Sequence, residues 1–163
     1  MYVLAIFTPL IASVAALATP DVSQVGGDSC TAGKQAQPVQ PPPCVRCSTV
    51  TEFETKIRSD AFAKAFIYDK DISEAFKYIA HDYINHNPSV KNGSDAAWSA
   101  LSPFWPTSNL TPLRTAFQYP QSWVNYQVPG FGNVVDRFQW DGGCIVEHWD
   151  QGEQFPNTTT TTT

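Results

Sequence analysis

Residues 133–150, Asn-Val-Val-Asp-Arg-Phe-Gln-Trp-Asp-Gly-Gly-Cys-Ile-Val-Glu-His-Trp-Asp, decide the fold of this chain. Asn133–Trp140 and Cys144–Trp149 are rich in Val, Ile, Phe and Trp, the residues that fit a half-buried pleated surface. Asp141-Gly-Gly143 separates them by a tight turn, the strongest hairpin signal in the chain. Alternation then assigns faces. Val134, Asp136, Phe138 and Trp140 share one face of the first strand. Ile145, Glu147 and Trp149 share one face of the second, with Val146, His148 and Asp150 on the other. The turn makes the strands neighbours, so Asp136 and His148 are placed to face one cavity.

Outward from the hairpin, Val124–Gln127 and Pro112–Tyr119 read as further strands. The preceding third of the chain has helical periods instead. Thr49-Val-Thr-Glu52 has the spacing of a capping box. Phe53, Ile57, Ala61 and Ala65 recur every four residues, with Phe62 and Phe66 beside them, which predicts a helix over about 50–68 with one face buried. Asp71-Ile-Ser-Glu74 repeats the capping pattern, and Ala75, Tyr78, Ile79 and Tyr83 give a second helical face. Pro88 pushes Asn87 out of the α region. Ser94 is placed to cap a third helix through Ala96, Ala97, Trp98 and Leu101, ended by Pro103 and Pro106. Helices first and antiparallel strands after define an α+β class, with helices against one face of a sheet.

The first eighteen residues have a different character. Tyr2–Ala18 is almost wholly apolar, no charge precedes Asp21, and Ala16-Leu17-Ala18 has the small-x-small pattern of a cleavage site. The expected organisation is a signal peptide at 1–18, a Pro/Gly-rich extended arm at 19–48, one domain at 49–156 and a Thr-rich tail at 157–163. Secretion into the extracellular space follows from that reading. Cys30, Cys44, Cys47 and Cys144 are an even set that allows two disulfides in three pairings. N-glycan acceptor patterns start at Asn92, Asn109 and Asn157, and the six terminal Thr suit O-glycosylation. Cys44-Val-Arg-Cys47 has zinc-ligand spacing, but no second close pair accompanies it. It also follows three prolines rather than lying in the βαβ unit of a redox motif. Structural disulfides are the preferred reading.

A formal charge of −5 with scattered Lys and Arg excludes nucleic acid as a partner and disfavours an anionic membrane surface. Aromatics at 13% suggest a core or cavity with aromatic walls. The three histidines are His81, His86 and His148. An acid and an imidazole in an aromatic pocket, here Asp136 with His148, are general acid–base machinery if they converge. The structural alternatives are an Asp136 salt bridge to Arg114 or Arg137, a hydrogen-bonded core role for His148, and a helix-end role for His86. Glu147 and Asp150 read as sheet-edge or solvent partners. A metal site from His86, Asp136 and His148 lacks signature spacing, and no metal is expected. No nucleophile elbow, dinucleotide fingerprint or phosphate loop is present.

Three segments carry a resemblance: Tyr83-Ile-Asn-His-Asn-Pro88, Val135-Asp-Arg-Phe138 and Gly143-Cys-Ile-Val-Glu-His-Trp-Asp150. Together they resemble the SnoaL-like family of the NTF2-like superfamily over about residues 52–156. That family includes polyketide cyclases closing rings by aldol chemistry. The resemblance implies a curved antiparallel sheet wrapped by helices into a cone with an internal pocket. It implies Asp136 as the base that removes an acidic C–H proton. His148 and His86 would hydrogen-bond the carbonyl or enolate oxygen, Tyr83 and Trp149 would line the mouth or wall, and no cofactor would be needed. Asn125 or Tyr126 stands where the family carries a histidine, Cys144 replaces its lysine and Gln139 its arginine. The expected partner is a small hydrophobic or carbonyl-containing molecule, handled by a cofactor-independent lyase, isomerase or cyclase, or held by a non-catalytic binding protein. A filled fold acting through its surface is the third reading. A homodimer through the open sheet face is compatible with each.

Overall fold

The computed structural model describes residues 37–157. The leader at 1–18, most of the arm at 19–48 including Cys30, and the threonines at 158–163 lie outside the described residues.

Helix α1 spans Glu52–Ala63. Its N-cap is Thr51 rather than Thr49: the Thr51 side chain accepts from the Glu54 N–H, and the Glu54 carboxylate reaches back to the Thr51 N–H. The capping box therefore sits two residues later than its sequence pattern indicated, and the buried stripe differs as well. Phe53 and Ile57 are 71% and 52% exposed, while Thr55, Ser59, Phe62 and Ala63 face inward. A π-helical turn, Lys64–Asp69, continues α1 and buries Ala65, Phe66 and Ile67 in succession. Such wider turns recur at functional sites.

Asp71 caps α2, Ile72–Phe76, by accepting from the Glu74 N–H at 3.0 Å. This helix is much shorter than predicted. Ile79–Asn85 is strand β1, not the continuation of a helix through Tyr83. Its backbone is claimed from both sides: Cys44 N–H donates to Ile79 O at 2.8 Å and Ile145 N–H to Tyr78 O at 2.7 Å. Tertiary pairing overrides a short apolar pattern that is ambiguous between the two periods. Helix α3, Ser94–Leu101, follows. Gly93, at φ 97°, occupies its N-cap, so Ser94 is the first helical residue and not the cap.

Strands β2 (Thr111–Gln118), β3 (Gln121–Val128), β4 (Gly132–Asp141) and β5 (Cys144–Trp149) complete a sheet of order β1-β5-β4-β3-β2. Its last four strands pair antiparallel, but β1 runs parallel to β5. The sheet is therefore mixed, against the expectation of a wholly antiparallel one. It is also open, ending on β1 and β2 rather than closing on itself. Along β4 and β5, Gln139 faces Glu147 while Trp140 faces Ile145. The extra residue is Val146, a β-bulge. The bulge breaks strict alternation, so Ile145 turns inward beside Trp140 instead of sharing the face of Glu147 and Trp149.

Helices α1–α3 cover one face of the sheet. Phe62 meets Phe138 edge-on at 4.8 Å, and Phe66 stacks on Trp105 at 4.2 Å. Buried polar tips are satisfied: Trp140 Nε1 donates to Ser122 Oγ and Trp105 Nε1 to the Phe66 carbonyl. The opposite face, with Asn125, Val135 and Arg137, is met by the C-terminal segment. There Glu153 pairs with Arg137 and Arg114 lies over the Phe155 ring.

Cys44 and Cys144 form a disulfide, which settles one pairing among four cysteines. It removes Cys44 from any zinc or dithiol role with Cys47. The arm is thus anchored through Cys44, beside a parallel bridge of Cys44 to Ala80. Cys47 is exposed and unbonded among the described residues. Closing a loop of this length, with a sequence separation of 100, contributes about 4–5 kcal/mol on the chain-entropy account.

Candidate functional site

The helices and the inner face of the sheet enclose a cavity of ≈ 90 Å³. Phe62, Phe66, Phe76, Trp105 and Phe138 supply aromatic walls, and Tyr83, Tyr126, Asp136, His148 and Asp150 the polar lining. A second chamber of ≈ 80 Å³ adjoins it and shares Tyr83, His148 and Asp150, with Asn85 and Asn87 behind. No Lys or Arg lines either chamber.

Strand β4 delivers Asp136, only 4% exposed. The bulged β5 delivers His148, whose Nε2 lies 3.3 Å from Asp136 Oδ1. Around this pair the hydrogen bonds are directional. Asn85 Oδ1 accepts the Asn87 backbone N–H at 3.0 Å, which fixes the oxygen of that amide toward His148 Nδ1, 3.2 Å away. Nδ1 therefore donates to Asn85, which turns the Nε2 edge of the ring toward the Asp136 carboxylate. Asp136 Oδ2 accepts from the Tyr126 hydroxyl at 3.0 Å. Burial, followed by the nearby Asp136 charge, pushes the Tyr126 hydroxyl far above the usual tyrosine range. Burial, then the charges of Asp136 and Asp150, raise Tyr83 likewise.

Asp150 completes the cluster. Its Oδ2 accepts from Asn87 Nδ2 at 2.5 Å, while Oδ1 is buried and has no partner among the described residues. Asp136, His148 and Asp150 each present one atom within 4.8 Å of the others. Two carboxylates and an imidazole are a donor set of the kind that would hold a divalent ion.

His86 is not part of this constellation. Its Nε2 lies 2.9 Å from Glu147 Oε2, and its ring stacks on Trp149 at 4.4 Å. The other face of Trp149 carries the Arg137 guanidinium. His86, Glu147 and Trp149 thus form an outward rim, and Trp149 lines neither chamber. Asn125 also lies away from the cavity. It is fully buried on the opposite face, donating to Asn133 Oδ1 and the Val134 carbonyl and accepting from Arg114 Nε. Of the two residues standing in place of the family histidine, Tyr126 is the one that reaches the pocket. Asp136 pairs with neither arginine: Arg137 is held by Glu153 and Arg114 by Asn125. Asp150 was read as a solvent partner, although alternation from His148 already placed it on the same face.

No protein-family model matches the chain, and no curated protein matches it by sequence. Solved structures do match. An NTF-2 like protein of unknown function from Burkholderia xenovorans superposes with a TM-score of 0.51 at 14% identity, covering 65% of this chain and 90% of that one. TsrD from Streptomyces laurentii gives 0.46 at 16% identity, covering 63% and 90%. An NTF2-like protein of unknown function from Cytophaga hutchinsonii gives 0.46 at 11%, covering 59% and 87%. The fold is NTF2-like, as the Burkholderia protein shows.

Proposed function

We propose that this chain is a secreted, SnoaL-like protein that performs acid–base chemistry on a small carbonyl compound, as a lyase, isomerase or cyclase without an organic cofactor. The observation that carries the reading is the 3.3 Å approach of His148 to Asp136 inside an aromatic cavity. A carboxylate and an imidazole brought together away from bulk water are the groups that general acid–base chemistry uses. The hydrophobic leader and the Cys44–Cys144 disulfide support secretion. The cavity limits the ligand. An apolar hole of about 150 Å³ accepts benzene, so the main chamber alone takes a smaller compound and a ring the size of cyclopentanone uses the adjoining chamber as well.

Incubating the protein with cyclopentanone in D₂O and following the α-proton signals by NMR tests the proposal. Exchange faster than in buffer is expected. A second reading, a binding protein for the same ligands, is favoured by one observation: Asp136, His148 and Tyr126 already satisfy one another. It predicts shifted cyclopentanone or protein resonances with no gain in exchange.

A further inference from the structure

Sorting the polar atoms of the cavity by whether they are already engaged separates two groups. Asp136 Oδ2 accepts from Tyr126, Asp136 Oδ1 faces His148 Nε2 at ion-pair distance, and His148 Nδ1 is held by Asn85. A ligand meeting these atoms must first displace a neighbour already in place. Two polar groups are free. The buried Oδ1 of Asp150 has no partner. The Tyr83 hydroxyl engages none among the described residues, and both carboxylates act on it through charge alone.

One of these groups is an O–H donor and the other a lone-pair acceptor. Tyr83 and Asp150 also line both chambers, so they stand where the two meet. Each is fixed by neighbours. The Tyr83 ring lies nearly parallel to His148, and Asn87 Nδ2 holds the second oxygen of Asp150. A donor and a lone-pair acceptor lining the same aromatic cavity complement one chemical pattern, a carbonyl oxygen next to an acidic C–H.

We infer that Tyr83 and Asp150 are the groups that meet the substrate, Asp150 as the base and Tyr83 as the hydrogen-bond donor to the carbonyl oxygen, while Asp136, His148 and Tyr126 position them. This rests on the carbonyl acid–base reading above and reassigns the base within it. In the step, Asp150 Oδ1 takes the α-proton and forms an O–H bond. The C–H electron pair becomes the C=C bond of the enolate, and the carbonyl π pair moves onto the oxygen that Tyr83 holds. Return of the proton to either end of the enolate regenerates the carboxylate, so no oxidant or reductant is required.

The test is α-proton exchange of cyclopentanone in D₂O by the intact protein and four variants, with thermal unfolding as a fold control. Asp150→Asn is expected to lose about 10²-fold or more in rate. Tyr83→Phe is expected to lose a similar factor, about 10²-fold. Asp136→Asn, which keeps the shape of the network, is expected to lose less than about tenfold. Asp150→Glu, which retains a carboxylate, keeps exchange at a reduced rate and serves if the Asn variant fails to fold. Exchange that survives Asp150→Asn but vanishes in Asp136→Asn overturns the assignment and leaves the acid–base function standing. No exchange by the intact protein overturns both. Exchange abolished by EDTA and restored by Zn²⁺ also overturns the assignment, because Asp136, His148 and Asp150 would then be metal ligands.

Discussion

Two histidines on neighbouring segments are joined through the backbone, His86 N–H donating to the His148 carbonyl at 2.9 Å. Each ring faces one carboxylate, His148 at 3.3 Å and His86 at 2.9 Å. Their surroundings differ. The His148 side chain is 13% exposed beside an Asp136 side chain at 5%, whereas His86 and Glu147 are 39% and 33% exposed. The shorter pair is therefore the weaker one. Water screens it, so it contributes little. The longer pair sits in a low-dielectric cavity, where breaking it leaves an uncompensated polar group. Distance alone would rank them in the wrong order.

That contrast depends first on the bulge. Ile145→Asp puts an unpaired carboxylate into the fully buried site that the bulge turns toward Trp140. Emptying that Ile site costs about 2–5 kcal/mol, and burying the unpaired charge adds to it. The expected result is a chain with no cooperative thermal transition. Next in size, Asp136→Ala should cost about 3–5 kcal/mol in urea unfolding, since it strands His148 Nε2 and the Tyr126 hydroxyl together. A cost near zero would mean that water reaches the pair.

The tyrosines behind Asp136 extend the contrast to alkaline pH. Tyr126 and Tyr83 have raised folded-state values, so both stay protonated in the native protein when the unfolded chain begins to ionise near pH 10. Their contribution is fully present below that pH and falls as pH rises above it, by about 1.4 kcal/mol per pH unit for each group. Urea unfolding at pH 9, 10 and 11 should show this loss, and Tyr126→Phe should halve its slope. The smallest effect belongs to the rim. Glu147→Ala should cost less than about 1 kcal/mol, with any cost disappearing at 1 M salt. A larger penalty there would break the comparison from the other side.

The hairpin of β4 and β5, the α+β class and the shared face of Asp136 and His148 were all legible, because each depends on local turn chemistry and a two-residue period. The bulge was not. Ile145 and Val146 are both apolar, so nothing in their identities marks which of them is inserted. Strand β1 was hidden for a related reason: Tyr78, Ile79 and Tyr83 fit a helical face until β5 and Cys44 claim the backbone. Phe53 and Ile57 followed the helical period yet face outward, since periodicity names a stripe without saying whether a partner covers it. His86 was drawn toward the pocket by its place in a motif, whereas its ring is held outside by Trp149 and Glu147. Asp150 carried a usable signal in its spacing from His148, but its importance lies in an unpaired oxygen, which only the folded arrangement reveals.

The Cys44–Cys144 bond brackets every wall of the main chamber except His148 and Asp150, which lie a few residues beyond it. A protease that cuts any exposed loop between residues 45 and 143 therefore produces two fragments still joined as one molecule. The severed ends gain freedom, but neither half can diffuse away, and the cut chain can close again on its own core. A single nick in that stretch becomes a survivable injury rather than a loss of half the pocket.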